Sequence, residues 1–211
     1  MICISLREPD YQSFVAALSG LEMAEIRMDG AKLSPAEVES IFSRPLVLVA
    51  TFRPGGVRLK KRAEMLSLAI RAGARFVDLE LQSPPAFRDE LVKAARASRC
   101  RVIISYHNDR KTPDRPLLEQ IADRCFRAGA DIAKLACRVH SQGDCARLLS
   151  LYDQSRPIIA LGLGRLGIMT RIVAPSLGAP FTYASLAPGR QTADGQLDWK
   201  AMREKIRALG G

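Results

Sequence analysis

A single lysine interrupts an apolar segment at residues 131–137, which reads DIAKLAC. The apolar residues around Lys134 form a short run that is typical of a strand buried on both faces. Burying an ammonium group there is costly unless its charge is paired or lost. We expect arginines among its neighbours, so that burial and like charge favour the neutral amine. A neutral lysine amine can attack a ketone or an aldehyde and form a Schiff base, so the segment predicts a covalent catalytic residue.

Charged residues recur at every second position of the segment AEIRMDG, residues 24–30. Glu25, Arg27 and Asp29 therefore share one face of a predicted strand. An internal ion-pair cluster would also explain them, but buried ionic groups seldom add stability over an apolar core, so we favour a functional site. Further charged or titratable residues mark later apolar runs, namely Arg53, Asp78, Glu80 and His107. Because an imidazole titrates near neutral pH, His107 is a candidate general acid and base.

Eight short β-like runs, at regular intervals along the chain, must position these residues. They cover residues 2–6, 24–29, 46–52, 76–81, 101–107, 131–136, 158–164 and 181–186. Segments with helical periodicity lie between them. Ser34, Pro35 and Glu37 predict a capping box, and two other helices are expected to open with a hydroxyl residue and a proline, at 83–84 and 112–113. The sequence RAGA is expected to end helices at 71–74 and 127–130.

The alternation of strands and helices predicts an α/β fold, a (β/α)8 TIM barrel that occupies residues 1–211 as a single domain. A doubly wound open sheet is the alternative, but it usually has a Gly-rich turn after its first strand, and SLREPDY supplies none. In a barrel the outer face of each strand meets helices, so the charged face points inward. Catalytic side chains then lie at the C-terminal ends of the strands.

Composition and charge narrow the range of partners. No apolar run is long enough to span a membrane and the N-terminus lacks the features of a signal peptide, so we expect a cytoplasmic protein with no membrane partner. The net charge of +10 raises the possibility of nucleic-acid binding, but the basic residues are dispersed, and their one cluster, VRLKKRAEM, is typical of a solvated helix face. We expect a small anionic substrate and no nucleic acid.

The five cysteines are scattered and never in a CxxC pair, so we expect reduced thiols and no metal site.

Seven blocks of sequence resemble the family of type I 3-dehydroquinate dehydratases, the Schiff-base enzymes of the shikimate pathway. The blocks are EIRMD, TFR, FVDLEL, SYHNDRKTP, AKLA, GLGRLGIMTRI and SLAPGRQTADGQL, and together they cover nearly the whole chain. The resemblance implies a hydro-lyase that removes water from 3-dehydroquinate to give 3-dehydroshikimate, in aromatic amino-acid biosynthesis. It also implies a homodimer that needs no metal or organic cofactor.

The resemblance implies a role for individual residues as well. Lys134 matches the lysine that forms the imine with the substrate ketone, and His107 matches the general acid and base beside it. The residues that match substrate-binding positions are Glu25, Arg27, Arg53, Arg171, Thr192 and Gln196. Among these, Arg171 matches the arginine that binds the substrate carboxylate, and Thr192 and Gln196 belong to a loop that closes over the substrate.

The sequence departs from the family pattern at several places. TFRPGG lacks the glutamate that usually lies between the arginine and the two glycines, so the orientation of His107 is expected to fall to Glu25, Asp78 or Glu80. Asp194 stands in place of the loop proline, from which we expect a more flexible loop with a negative charge near the substrate. Because the sequence starts at the first predicted strand, we expect a barrel that lacks the N-terminal hairpin that many relatives have.

Two other functions are compatible with these residues. A class I aldolase would also use Lys134 as an imine, and GLGRLG after the seventh strand would then bind a phosphate group through its backbone amides. Arg171 and the loop with Gln196 favour a carboxylate and a polyol ring instead. A member of the family that binds a ligand without converting it is the second alternative, because the glutamate is missing.

Overall fold

The strands form a nearly closed parallel barrel in the computed structural model, which describes residues 1–153 and 155–209. The strands are β1 Ile2–Leu6, β2 Met23–Arg27, β3 Val47–Thr51, β4 Phe76–Glu80, β5 Arg101–Asn108, β6 Ile132–Arg138, β7 Ile158–Leu163 and β8 Thr182–Ser185. They pair in the order β7-β6-β5-β4-β3-β2-β1-β8. All eight predicted strands are present, with ends shifted by no more than two residues. Positions 154, 210 and 211 of the predicted domain lie outside the described residues.

Helices connect consecutive strands and surround the barrel, which confirms the predicted (β/α)8 TIM barrel. They are α1 Tyr11–Ala17, α2 Pro35–Phe42, α3 Leu59–Ala72, α4 Pro85–Ala97, α5 Arg115–Arg127, α6 Gln142–Leu149, α7 Ile168–Val173 and α8 Trp199–Ala208. Short 3-10 helices follow some of these elements, at Met28–Gly30, Ser150–Asp153, Arg165–Gly167 and Ala174–Leu177. The outward faces of the strands pack against the apolar faces of the helices, where Ile26, Leu66 and Ile104 are at most 1% exposed.

Helix ends follow the predicted chemistry in part. The capping box of α2 is present, because Glu37 N donates to Ser34 Oγ at 3.3 Å and Ser34 N donates to the Glu37 carboxylate at 2.7 Å. The first RAGA ends α3 at Gly73, whose φ of 119° favours glycine and where a Cβ would lie 2.9 Å from the Phe42 carbonyl oxygen. The two predicted hydroxyl caps are wrong: α4 follows Pro84 without a side-chain bond, and Asp114 caps α5.

The basic cluster on α3 is only partly the solvated face that the sequence predicts. Lys60 and Lys61 are exposed, but Arg62 is 6% exposed and therefore corrects that prediction. Its guanidinium donates to the Phe52 carbonyl oxygen at 3.2 and 2.9 Å and stacks over the Phe87 ring. Because peptide and guanidinium satisfy each other there, Arg62 fixes the backbone next to Arg53 at the end of β3.

The interior of the barrel changes from apolar to polar along each strand. On β4 the inward residues are Phe76, Asp78 and Glu80, and on β6 Ile132 precedes Lys134. The barrel-floor cluster consists of Cys3, Met23, Val49, Phe76, Ile103, Ile132, Ile159, Leu161, Phe181 and Tyr183. Edge-to-face contacts between aromatic rings, at 5.6 and 5.5 Å between centroids, fill its centre. The floor therefore supports the polar layer above it as a rigid, dry base.

The cysteines and the helices test the expectations of reduced thiols and of no membrane-spanning segment. All five cysteines are free and buried. Burial raises the pKa of Cys100, Cys125 and Cys137 to about 12, so these thiols are protonated. Among the described helices, none combines the length and the apolar character that crossing a bilayer requires.

Candidate active site

A cavity of about 540 Å³ opens at the C-terminal ends of the strands. Every residue that the sequence analysis assigned to the site lines it, namely Glu25, Arg27, Arg53, His107, Lys134, Arg171, Thr192 and Gln196. They come from six strands or the segments that follow them, and only the barrel brings them together. The position at the C-terminal end is the one that the fold predicts for a catalytic site.

Lys134 lies at the base of this cavity, on top of the barrel floor. Its Nζ donates to Asp78 Oδ2 at 2.9 Å and is 3.7 Å from Glu25 Oε1. The ring of Tyr183 lies below the amine, with its centroid 4.1 Å from Nζ. The side chain is only 7% exposed, so two carboxylates and an aromatic face surround a nearly desolvated amine.

These contacts correct the expected surroundings of the lysine. We expected positive neighbours that favour the neutral amine, but the nearest charged groups are the carboxylates of Asp78 and Glu25. Carboxylates stabilise a positive charge at this nitrogen. An iminium formed on Lys134 carries its positive charge at the same place, so both carboxylates favour the charged covalent intermediate over a neutral one.

Asp78 joins three strands at the centre of the site. Besides Lys134, it accepts two hydrogen bonds from Arg53, each of 3.0 Å, and one from Ser105 Oγ at 2.6 Å. Burial alone would raise the pKa of Asp78, but Arg53 and Lys134 outweigh it and hold the pKa well below its usual range. Asp78 is therefore a permanent anion that fixes both the lysine and the arginine.

Glu25 forms the second anionic position beside the amine. Its carboxylate accepts hydrogen bonds from Ser5 Oγ and, at 3.0 Å, from Thr51 Oγ1. Burial opposes the charge of Glu25, but Lys134 and Arg27 lower its pKa below the usual value. With these partners both carboxylate oxygens are held in place, so the distance to the Lys134 amine is fixed by three strands.

Arg27 is oriented by a residue that the sequence placed on the same strand face. Asp29 lies in the 3-10 helix after β2, and Arg27 donates to its two oxygens at 2.9 Å each. Asp29 also accepts a hydrogen bond from the backbone N–H of Arg53 at 3.2 Å. Asp29 does not line the cavity, so its contacts make it a support for Arg27 and for the end of β3.

His107 is the last inward-facing residue of β5 and lines the cavity. Within the described residues, neither of its ring nitrogens forms a hydrogen bond. Burial, Arg53 and Lys134 hold the pKa of His107 well below its usual range, although Asp78 acts in the opposite direction. The imidazole is therefore neutral at physiological pH and has both nitrogens available to a substrate.

The three carboxylates expected to orient His107 have other partners. Asp78 and Glu25 are occupied as described above, and Glu80 lies 3.7 Å from Arg53 and 4.0 Å from Arg62. Among the described residues, none of these carboxylates forms a hydrogen bond with His107, so none of them orients its ring directly.

Arg171, on α7, is a buried cation that forms no ion pair with a carboxylate among the described residues, although the charge of Asp194 acts on it from further away. It is 2% exposed and its Nε has no hydrogen-bond partner among the described residues. Burial lowers the pKa of Arg171 to about 10, so it is still charged at neutral pH. Because a buried unpaired charge is costly, its place at the cavity wall indicates that an anionic ligand completes it.

The segment that follows β8 covers the mouth of the cavity; we call residues 190–196 the closing loop. Gln196 Oε1 accepts hydrogen bonds from Thr192 N at 2.9 Å and Ala193 N at 3.3 Å, which fixes the turn. Thr192 Oγ1 donates to Ser5 Oγ at 2.7 Å and so ties the loop to β1. Asp194, which we expected to loosen the loop, pairs instead with Arg138 at the end of β6.

Several contributors escaped the sequence analysis. Ser5, Thr51, Ser105 and Tyr183 support the charged groups from below or from the side. A signal for Thr51 and Ser105 existed, because each lies two residues before an assigned residue, Arg53 or His107, and so shares its strand face. No such signal marked Arg138, whose importance depends on a loop far away in the sequence.

Comparison with known proteins adds an independent observation. The chain is 33% identical to 3-dehydroquinate dehydratase of Methanococcus maripaludis strain C7, with 100% of both chains covered. It is 32% identical to the enzyme of the same name from Methanocaldococcus jannaschii, with 99% of each chain covered. The solved structure of 3-dehydroquinate dehydratase from Aquifex aeolicus VF5 has 25% identity and a TM-score of 0.84, with 99% of this chain and 98% of that chain covered.

A further solved structure, 3-dehydroquinate dehydratase from Geobacillus kaustophilus, superposes with a TM-score of 0.88 at 21% identity, over 99% of this chain and 90% of that chain, and supports the fold alone. The family model described as type I 3-dehydroquinase matches residues 2–211. Together with the barrel and the site at its C-terminal end, this match shows that the chain belongs to the type I 3-dehydroquinase family.

Proposed function

We propose that this protein is a 3-dehydroquinate dehydratase that removes water from 3-dehydroquinate through an imine on Lys134 and releases 3-dehydroshikimate. The observation that carries the proposal is the position of the Lys134 amine, held between Asp78 and Glu25 at the base of a cavity that the unpaired Arg171 also lines. Arg171 provides the charge that binds a substrate carboxylate, while Lys134 provides the nucleophile for a ketone.

Imine formation uses the groups around the amine. The lysine nitrogen loses a proton and attacks the ketone carbon, and the carbonyl oxygen leaves as water after it has been protonated. His107, neutral and free of hydrogen bonds to described residues, is the proton carrier for these steps. Asp78 and Glu25 stabilise the resulting iminium because they already stabilise a cation at this position.

Elimination follows from the iminium. His107 removes a proton from the carbon next to the iminium carbon. The electron pair of that C–H bond forms a C=C bond, and the π pair of the C=N bond moves onto the lysine nitrogen, which gives a neutral enamine. The enamine then returns its electrons, and the hydroxyl group on the next carbon departs as water, protonated by His107. Hydrolysis of the new iminium releases the conjugated enone and restores Lys134. Each proton that His107 takes is given back, so the cycle balances.

The remaining residues hold the substrate. In this proposal Glu25, Arg27 and Arg53, which line the cavity, bind the ring hydroxyls, and Thr192 and Gln196 close over the ring from above. Exclusion of water under the loop strengthens these polar contacts. We further propose that the protein acts in the shikimate pathway, in the cytoplasm, and that it forms a homodimer. Sedimentation at micromolar concentration tests the oligomeric state.

Borohydride trapping tests the proposed function. Reduction in the presence of 3-dehydroquinate should give a stable adduct, seen by intact mass and mapped to Lys134, and turnover should produce the ultraviolet absorbance of the enone. Lys134→Ala should lose both, whereas the control Lys60→Ala, at an exposed lysine of α3, should keep both. His107→Ala should still form the imine slowly but eliminate little. Absence of both adduct and enone in the unaltered protein contradicts the proposal.

The aldolase alternative is less well supported by the segment GLGRLG. Three of its backbone amides already have partners: Gly162 N donates to Thr170 Oγ1 at 2.7 Å, Gly164 N to the Asp194 carbonyl oxygen at 3.3 Å, and Gly167 N to the Gly164 carbonyl oxygen at 3.0 Å. A phosphate group bound by these three amides would have to displace those bonds. Adduct formation with sugar phosphates alone in the same trapping experiment would favour the aldolase.

A further inference from the structure

An ion pair crosses the mouth of the cavity between Arg138 and Asp194. Arg138 is the last residue of β6, and Asp194 lies in the closing loop, 56 positions away in the sequence. The Arg138 side chain is 27% exposed and that of Asp194 61%, and both line the cavity above the reacting groups. Neither is among the groups that contact Lys134, so the mechanism above assigns them no role.

Arg138 is held in position from the barrel side. Its carbonyl oxygen accepts a hydrogen bond from Thr112 Oγ1 at 2.7 Å, and its Nε donates to the Asp109 carbonyl oxygen at 3.3 Å. Thr112 is buried, with 6% of its surface exposed. The guanidinium is therefore a fixed point on the rim, to which the closing loop attaches.

The loop backbone lies directly on the end of β7 where the pair forms. Gly164, the residue after β7, donates its N–H to the Asp194 carbonyl oxygen at 3.3 Å. A Cβ on Gly195 would lie only 2.4 Å from the Gly164 carbonyl oxygen, so the two backbones are in contact. On the opposite side, Thr192 attaches the loop to Ser5 of β1. The loop thus spans the mouth, attached on two sides.

We propose that Arg138 and Asp194 are positioning residues, an ionic latch that holds the closing loop over the bound substrate. Opening the latch separates the two charges and lets the closing loop leave the mouth of the cavity. Closing the latch restores the ion pair and brings Gln196 and Thr192 over the ring. This proposal rests on the proposed function only for the identity of the substrate, because the contact itself belongs to the folded chain.

A different role for Asp194 predicts the opposite change in KM when its charge is removed. If its carboxylate simply repels an anionic substrate, Asp194→Asn lowers KM. The latch instead predicts that Asp194→Asn raises KM roughly two- to fivefold, the range that exposed ion pairs contribute, with kcat unchanged or higher because the product leaves sooner. Arg138→Gln should act in the same way. A KM that falls or does not change in Asp194→Asn overturns the latch.

A double-mutant cycle separates the pair from its two members. In the variant that carries both Arg138→Gln and Asp194→Asn, KM should rise no further than in either single variant, whereas additive effects would contradict the latch. Arg96→Gln is the matched control, because it removes an arginine that pairs with Asp131 at the other end of the barrel. Its KM should equal that of the unaltered protein.

Trypsin gives a readout that needs no turnover. Arg190 is the first residue of the closing loop, and trypsin cleaves after arginine. The rate of cleavage at this position, measured by mass spectrometry, reports how often the loop leaves the barrel. Cleavage should be roughly two- to fivefold faster in Asp194→Asn, Arg138→Gln and the double variant, and unchanged in Arg96→Gln. Equal cleavage in all of them overturns the latch. If the protein fails to convert 3-dehydroquinate, the proposed function fails, and the cleavage rates still decide the latch.

Discussion

The amine of Lys134 and the carboxylate of Asp78 form a 2.9 Å ion pair at the base of the cavity. Asp78 is 2% exposed and also holds Arg53 through two hydrogen bonds. One carboxylate therefore positions a nucleophile and a cation that come from different strands. Removing its charge leaves each cation with only a more distant carboxylate, Glu25 at 3.7 Å from Lys134 and Glu80 at 3.7 Å from Arg53.

Asp78→Asn tests this dependence. The weaker compensation of both cations should lower the free energy of unfolding by about 3 kcal/mol, and loss of iminium stabilisation should lower kcat by about 100-fold or more. Urea unfolding and steady-state kinetics measure the two effects. The control Glu119→Gln removes an exposed partner of Arg115 on α5 and should cost less than about 1 kcal/mol without changing kcat. A fully active Asp78→Asn enzyme would show that Asp78 has no electrostatic role.

Arg171→Met should separate stability from binding. Replacing a buried unpaired cation by an apolar side chain of similar length should raise the free energy of unfolding by about 1 to 2 kcal/mol. Loss of the guanidinium that binds the substrate carboxylate should raise KM by about 100-fold. Arg171→Lys keeps the charge and should lie between the two proteins in KM. A less stable Arg171→Met protein with unchanged KM would contradict the assignment.

The pH dependence of catalysis should reflect the lowered pKa of His107. Because the neutral imidazole is the form that accepts a proton, kcat/KM should stay constant as the pH falls through the usual histidine range and decline only well below it. A decline centred at about pH 6.5, the ordinary histidine value, would contradict the lowered pKa of His107.

The same shift affects stability. Below the pKa of an unfolded histidine, the unfolded chain binds a proton that the folded protein does not, so the free energy of unfolding should fall as the pH decreases from that value towards the lower pKa of folded His107. The slope from this one group is at most about 1.4 kcal/mol per pH unit. His107→Gln should lose that component of the slope, measured by urea unfolding at a series of pH values. An identical slope in His107→Gln would argue against the shift.

The hydroxyl of Thr192 should matter for closing the loop. Thr192→Val removes the donor to Ser5 and should raise KM about threefold to tenfold, in keeping with the loss of a neutral hydrogen bond. Thr192→Ser retains the hydroxyl and should keep KM within about twofold of the unaltered protein. An unchanged KM in Thr192→Val together with a raised KM in Thr192→Ser would show that the methyl group, not the hydroxyl, is what the site needs.

The strands and the charged residues on them were predictable because both follow from a period of two, whereas Arg171, Thr192 and Gln196 were assigned through the family resemblance alone. Charges at alternate positions, as in Glu25 and Arg27, must point into a barrel whose outer face is covered by helices. The partners of each charge were not predictable in this way. The pairing of Lys134 with Asp78 depends on strand register and side-chain length, and local periodicity contains neither.

Helix starts and surface charges show the same limit. Ser83 and Thr112 look like helix caps, but prolines and Asp114 define the starts of α4 and α5, and Thr112 bonds to Arg138 instead. Arg62 belongs to a basic run but points inward to the Phe52 carbonyl oxygen. In both cases a contact with a distant part of the chain overrides the local pattern, which is why sequence reasoning did not find it.

The barrel-floor cluster has a consequence for the traffic of water. Its side chains are at most 7% exposed and close the barrel beneath Lys134. The proposed reaction releases water twice, at imine formation and at elimination, and consumes it once, at hydrolysis. Because the floor is packed, these water molecules and the product all pass through the mouth of the cavity that residues 190–196 cover. The rate at which this loop opens then sets an upper limit on turnover, whatever the rate of the chemical steps.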